Sequence, residues 1–388
     1  MRLTKEELDA VKKQYGVDRL FSWSMINTYM TSSYEYYLKY IKREQEDKKD
    51  SAYAPLGGLC HDQLEKYYSN EIKYGDMLTN FEDGWDVNID LLDLKFNRSS
   101  DEQNESIKNK YKKDIEHFFR HHKPLFRYDV QVEQFSLTMI HGHAFQGYID
   151  AILKSNDGNY KIVDWKTSTI YQGETAKEKA GQLVIYAIGL MQKGIPIDKI
   201  SIGWNFLKYV TVTYPLKNGK TKVRNIERSK ICSTLTSNIR SWMKDLGYDN
   251  DDEIDYYLSK FAEKNDFRVL PEDVQDLYDV NDCYVWVDLT KEFVQEWAEK
   301  ISKVLEEIED AENRYYSTYN EHVFDDTEES IEKNSYYLSN LCGYSINLHK
   351  PYQAWLRKKE DGTDIWGNSP EDKQNKEEHF DLSWLDKI

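Results

Sequence analysis

Three charged side chains stand among apolar neighbours, and their types suit one chemistry. Asp150 ends the run Gly147-Tyr148-Ile149-Asp150, and beyond the turn Asn156-Asp157-Gly158 the apolar pair Ile162-Val163 leads into Asp164-Trp165-Lys166. Strand residues two apart share a face, so Asp164 and Lys166 project together, and a meander can bring Asp150 beside them. Charges on a strand that should be buried require a reason. Two carboxylates suffice for Mg²⁺, which takes hard oxygen ligands and keeps its other positions for water and substrate. Such an ion stabilises the charge that develops when a phosphodiester is hydrolysed, and it makes a water nucleophilic. A lysine alongside can hold or help deprotonate that water, a role suited to an ammonium whose pKa is lowered near a metal. Asp-x-Lys on a strand is also common without any chemistry, so the reading depends on what accompanies it.

The elements that must position these groups follow from periodicity. From Tyr128 the apolar period is two, through Val130, Val132 and Phe135, then Ala144 to Leu153, then Tyr160 to Trp165, which predicts three strands in a meander. A helix over 175–193 is capped by Gly194 and stopped by Pro196, and a further strand covers 199–207. Upstream, Leu20, Met25, Ile26, Tyr29, Tyr36, Tyr37, Tyr40 and Ile41 recur at helical spacing, and helices over 56–72 and 106–122 follow with a polar loop between them. Downstream, 210–224 predicts a hairpin around Lys217-Asn218-Gly219, and 229–246, 251–264 and 290–313 predict helices. The expectation is an α/β fold, a mixed sheet flanked by helices. It divides into a helical N-terminal lobe (1–125), a core (126–230), a helical acidic C-terminal region packing on the core (231–350) and a polar acidic tail (351–388).

At 388 residues the chain can bury a large core, and 31% charged with 14% aromatic residues, 30 of them Tyr, argues against disorder throughout. No apolar run approaches the ~18 residues of a membrane helix, and residues 1–15 are charged where a signal peptide would be apolar, so no membrane partner and a cytoplasmic location are expected. Cys60, Cys232, Cys283 and Cys342 form no Cys-x-x-Cys pair, which predicts free thiols. The net charge of −17 argues against a polyanionic partner, but residues 151–250 hold 16 basic against 8 acidic side chains while 251–388 hold 15 against 35. The one basic segment adjoins the candidate site. No Gly-x-x-x-x-Gly-Lys-[Ser/Thr] segment is present, so ATP-driven unwinding is not supported.

The sequence resembles the PD-(D/E)XK nuclease superfamily, specifically its RecB-like branch. The resemblance rests on Gly147-Tyr148-Ile149-Asp150, on Val163-Asp164-Trp165-Lys166-Thr167-Ser168, on Gln182-Leu183-Val184-Ile185-Tyr186-Ala187, and on Ser22-Trp23-Ser24-Met25-Ile26-Asn27-Thr28-Tyr29 followed by Tyr36 and Tyr40-Ile41. It implies a restriction-endonuclease-like core and a metal-dependent DNA nuclease, with Mg²⁺ or Mn²⁺ held by Asp150, Asp164, the Trp165 carbonyl and His61. His61 lies within Gly58-Leu59-Cys60-His61-Asp62-Gln63-Leu64-Glu65, where the branch places a histidine ligand. Gln182 and Tyr186, at i and i+4, would contact the DNA backbone and the site carboxylates. Glu133 and Glu65 are further acidic candidates. Many relatives hold an iron–sulfur cluster on four cysteines. Here Ser32 takes the first position, Cys342 survives, and Ser345 and Pro351 stand where later ligands belong, so no cluster is expected. A chain without helicase motifs resembles stand-alone exonucleases of phage or mobile-element recombination and nucleases of CRISPR adaptation, so end-directed degradation is expected first. A structure-specific or restriction-type endonuclease, or a nuclease-fold protein that binds DNA or a partner without cutting, are the alternatives.

Other features carry weaker readings. His61 alone is as well a surface or capping residue, and Tyr186 as well a core residue. His117, His121 and His122 have the spacing of a metal cluster and equally of a solvated helix face. Lys208, Lys217, Lys220, Lys222, Arg224, Arg228 and Lys230 are an ordinary solvated run or a phosphate-contact surface, and their place after the core strand favours DNA. The tail from Glu371, with Phe380, Trp384 and Leu385, is a solubilising segment or a docking peptide for a replication or recombination protein.

Overall fold

The computed structural model describes residues 2–98 and 100–359. Helix α1 (Lys5–Tyr15) opens on a capping box in which Thr4 and Glu7 bond each other's backbone N–H. The short strand β1 (Leu20–Phe21) leads into α2 (Trp23–Thr31) and α3 (Ser33–Tyr36), capped by Ser22 and Ser32. Next come α4 (Tyr53–Tyr68), α5 (Tyr74–Trp85) and α6 (Asp101–His121). Helix α5 occupies part of the predicted polar loop. Its Met77, Phe81 and Trp85 recur every four residues and are buried, but Asp76 before them and Asn80, Glu82 and Asp83 between them hide the pattern.

Strands β2 (Asp129–Ile140), β3 (His143–Lys154) and β4 (Tyr160–Lys166) form the antiparallel meander that period two predicts. The single helix expected next is two, α7 (Glu174–Lys179) and α8 (Gly181–Gln192). They break at Ala180, and at Gly181, the first residue of α8, Trp23 and Trp297 occupy the space a side chain would need. The α7–α8 crossover delivers the chain to β5 (Ile200–Pro215), parallel to β4. Strand β5 runs on as the first arm of the hairpin, and β6 (Thr221–Glu227) returns along it. Helices α9 (Ile231–Asp245), α10 (Asp251–Lys264) and α11 (Glu272–Gln275) precede β7 (Asp279–Val287), which pairs antiparallel with β5 across a register shift between Asn205 and Val210. Strand β7 is absent from the sequence reading because Asp279, Asn281 and Asp282 break its alternation. Asp282 is tolerated inside only because Arg228 and His122 lie against it.

The seven described strands form one mixed sheet in the order β1-β3-β4-β5-β6, with β2 on β3 and β7 on β5. Period two splits β4 between two cores. Ile162 joins Leu183, Ala187 and Phe206 beneath α8, together with Ile301 and Leu305 of α12 (Lys291–Thr318). Val163 and Trp165 join Leu56, Phe81 and Phe118 beneath α4 to α6. A third cluster, including Val212, Leu235 and Phe261, seats α9 and α10 against the hairpin. The chain continues through α13 (Glu328–Lys333) to α14 (Lys350–Lys359), whose Tyr352 and Trp355 are buried where the polar tail was expected to start. The docking segment with Phe380, Trp384 and Leu385 lies outside the described residues. No described helix is long and apolar enough to cross a membrane.

Candidate active site

Strands β3 and β4 separate where the acids stand. Their last ladder pair toward the site is Ala151 with Val163, so the same register would set Asp150 opposite Asp164, yet no pairing forms there. On the other side, Val132 pairs Ala151 and Gln134 pairs Ile149, which sets Glu133 opposite Asp150, again unpaired, with Glu133 in a left-handed backbone at φ 48°. The ladder bond that β3 gives up is replaced by a side chain, since Trp165 N–H donates to Asp150 Oδ2 at 2.9 Å. The Asp150 carboxylate thus wedges the strands open.

Helix α4 closes the notch from the face opposite α8. Its Leu56, Cys60 and Leu64 are buried, which turns His61 toward the strand end. His61 Nε2 lies 2.9 Å from the Trp165 carbonyl oxygen and Nδ1 lies 3.6 Å from Asp150 Oδ2. Lys166 Nζ lies 2.7 Å from Asp164 Oδ2. Burial, and then the charge of Asp164, push the Asp150 carboxyl up to about 6. Burial works to lower the Lys166 ammonium, but Asp164 and Asp150 outweigh it and hold it above its ordinary value. These carboxylates by themselves hold Lys166 as a cation, and the lowering expected beside a metal would require the metal to take up their charge.

The donor set fits a hard divalent cation. Asp164 Oδ2 is buried and accepts no hydrogen bond of proper angle, although Lys166 lies beside it. Among the described residues no three or more His, Cys, Asp and Glu side chains form a ready cage. The oxygens on offer are two carboxylates and a main-chain carbonyl, with one imidazole beside them, which suits an ion that keeps much of its water.

Helix α8 supports the notch from the other face. Tyr186 OH donates to the Tyr148 carbonyl at 2.8 Å, and Gln182 Nε2 donates to Tyr186 OH at 3.2 Å. Gly147 makes this possible, because a Cβ there would stand 2.7 Å from the Tyr186 hydroxyl. Glu65, one turn beyond His61, is raised by burial and then by the charge of Glu133, so these two acids lie near each other.

One supporting chain escaped the sequence reading. The ring of Tyr68 lies near-parallel to Trp165 at 6.4 Å, its hydroxyl is 2.7 Å from His122 Nε2, and His122 Nδ1 is 2.7 Å from Asp282 Oδ2. These partners come from α4, the end of α6 and β7, far apart in sequence, and no local pattern signals them. The histidines of α6 are accordingly no solvated face. His117 and His122 are buried, and His117 bonds the Asn265 carbonyl at 3.0 Å.

The basic run divides. Lys208 is 3% exposed, with its ammonium 3.7 Å from the centre of the Tyr111 ring, and Arg228 is 1% exposed, bonded to Asp282, the Leu207 carbonyl and His117. Neither can reach a phosphate, which corrects the expectation for both. Both are drawn inward by partners that a charge count cannot see. Lys217 pairs with Asp245 and Lys230 with Glu227, while Lys220, Lys222 and Arg224 stand exposed on the hairpin. At the positions associated with cluster cysteines, Ser32 Oγ donates to Asp326 at 2.6 Å and lies 2.9 Å from His349 Nε2, Ser345 N–H donates to Asp47, and Cys342 is buried.

Comparison with known proteins agrees with this geometry. The family model of the PD-(D/E)XK nuclease superfamily matches residues 20–321. A crystal structure of a candidate exonuclease from Eubacterium rectale aligns over 73% of this chain and 90% of its own at 13% identity, with a TM-score of 0.28, too low a superposition to carry an argument. The curated proteins gave no match. The family match spans well over half of the chain and every strand of the sheet, and on that ground this chain belongs to the PD-(D/E)XK nuclease superfamily.

Proposed function

We propose that this chain is a Mg²⁺- or Mn²⁺-dependent DNA nuclease that degrades DNA from its ends. Proteins of this superfamily use divalent metal ions. One observation carries the reading: Asp150, Asp164, Lys166, His61 and the Trp165 carbonyl gather at the single place where β3 and β4 part. Asp150, Asp164 and the Trp165 carbonyl would hold the ion, with His61 completing the set. When bound, the ion offsets charge on the phosphoryl oxygens and supplies a nucleophilic water. Lys166, whose ammonium lies 2.7 Å from Asp164 Oδ2, would hold or help deprotonate that water and offset charge beside the phosphorus. Tyr186 and Gln182 fix the backbone of the Asp150 strand, and Gln182, half-exposed, faces the substrate side.

End-directed action rests on the likeness of the sequence to exonucleases of the RecB-like branch. Incubation with linear and covalently closed circular DNA, with Mg²⁺ or Mn²⁺ and with chelator, tests it. The proposal expects mononucleotides or short products from linear DNA only. Nicking or linearisation of the circle would replace it with an endonuclease.

A further inference from the structure

The β2–β3 ladder runs on past the end of β4, as far as Ile140 and His143, so this hairpin forms a wall beside the notch. The register that pairs Ala151 with Val163, carried on, would set Tyr148 opposite Lys166, where the strands have parted. Tyr148 therefore stands on the wall at the level of the cleavage centre. Its carbonyl accepts from Tyr186 of α8, and its hydroxyl has a different partner, since Leu3 N–H donates to it at 2.5 Å. Residues 2–4, ahead of α1, thus form an arm laid against the wall of the notch.

The arm is fixed at two successive residues. Leu3 is held by Tyr148, and Thr4 closes the capping box of α1, where its N–H donates to Glu7 Oε2 at 2.7 Å. What the arm leaves open is the side chain of Arg2, 78% exposed. Its guanidinium lies over the Tyr148 ring, 5.5 Å from the centre, and its Nε is 3.6 Å from Glu133 Oε2, too far for a hydrogen bond. Charge and ring draw Arg2 to the notch, while its N–H donors make no hydrogen bond among the described residues. Lys166, by contrast, is occupied at 2.7 Å by Asp164 Oδ2. A phosphate approaching Asp150, Asp164 and Glu133 meets three carboxylates, and a guanidinium with open donors at that wall offsets them.

We propose that Arg2 binds a phosphate of the DNA strand that enters the notch, as a further substrate-binding residue of the proposed nuclease. Its planar fork of N–H donors matches two phosphate oxygens. Glu133 and the Tyr148 ring keep the guanidinium at the wall, and the phosphate would take its open donors. The identity of the polyanion rests on the nuclease reading. The bland alternative is a surface ion pair that only offsets Glu133, and such pairs contribute little.

Fluorescence anisotropy with labelled single- and double-stranded DNA tests this, on the full chain carrying Lys166→Ala and free of divalent ions. Arg2→Ala is expected to weaken binding about tenfold and to reduce the slope of log affinity against log salt by roughly 0.7–0.9, the share of one phosphate. Arg2→Lys, which keeps the charge and loses the fork, should fall between. In a Glu133→Gln background the effect of Arg2→Ala should persist, whereas a residue that only offset Glu133 would no longer matter there. Unchanged affinity and slope, an effect that vanishes beside Glu133→Gln, or no binding of either DNA overturns the proposal. Tighter binding by Arg2→Ala also overturns it and would make the arm a barrier. No cleavage is read, so a nuclease with an idle Arg2 and a DNA-binding chain that does not cut give different results.

Discussion

Asp150 does two jobs in one position: it takes over a backbone bond from β3 and presents a carboxylate to the site. Its carboxyl is pushed up to about 6 by burial and by Asp164. A raised carboxylate holds its proton until the pH passes that value, and a bound proton competes with a cation. Metal affinity is therefore expected to be level above pH 6 and to fall about tenfold per pH unit below it, whereas an unperturbed carboxylate would hold its affinity to about pH 4. Mn²⁺ titration followed by electron paramagnetic resonance between pH 5 and 8 checks this, and a flat profile to pH 5 would remove Asp150 as a ligand. A second expectation concerns Gly147. Gly147→Ala drives Tyr186 away from the Tyr148 carbonyl and is predicted to lower kcat about 100-fold, since misplacing a reacting group by ~1 Å costs that much. Tyr186→Phe keeps the ring and should lose less. At this scale Asp164 and Lys166 are legible because period two alone puts them on one face. Lys208 and Arg228 are not, because whether a cation faces water or turns inward is decided by Tyr111, Asp114 and Asp282, which only the folded chain brings close.

Among elements, the meander and the crossover to a parallel strand are legible in the amino-acid sequence, since alternation and the Gly194 and Pro196 stops are local signals. Strand β7 and helix α5 are not. One holds buried Asp282, the other polar residues between its core positions, and both gain their place from long-range partners. That dependence has a measurable consequence. Burial opposes ionisation of Asp282, but His122 and then Arg228 outweigh burial and hold its carboxyl well down, to about 2. Asp282→Asn leaves a buried guanidinium uncompensated and is predicted to cost about 3–5 kcal/mol in urea unfolding. A loss below ~1 kcal/mol would show that the network tying β7 to α6 holds nothing together. The same lowered carboxyl fixes the sign of its pH effect: its contribution is present above the ordinary aspartate value near 4 and is lost as pH falls toward 2.

Across the whole molecule, an acidic chain must bring a polyanion to two aspartates. The exposed cations Lys220, Lys222 and Arg224 on the β5–β6 hairpin are the part of the predicted basic run that remains free for this. Replacing all three with Ala is expected to weaken DNA binding and to reduce the slope of log affinity against log salt by about 2–3, since each phosphate contact contributes roughly 0.9 to it. An unchanged slope would place the DNA elsewhere. At the centre of the proposed function, Asp150, Asp164 and Lys166 form one metal-dependent cleavage centre. Its most direct test is the release of label from end-labelled single- and double-stranded DNA with Mg²⁺ or Mn²⁺, comparing the unaltered chain with Lys166→Ala. The expected result is metal-dependent release by the first and a loss of about 100-fold or more in the second, with its fold intact. Equal release by both, or none by the unaltered chain with either ion, would contradict it.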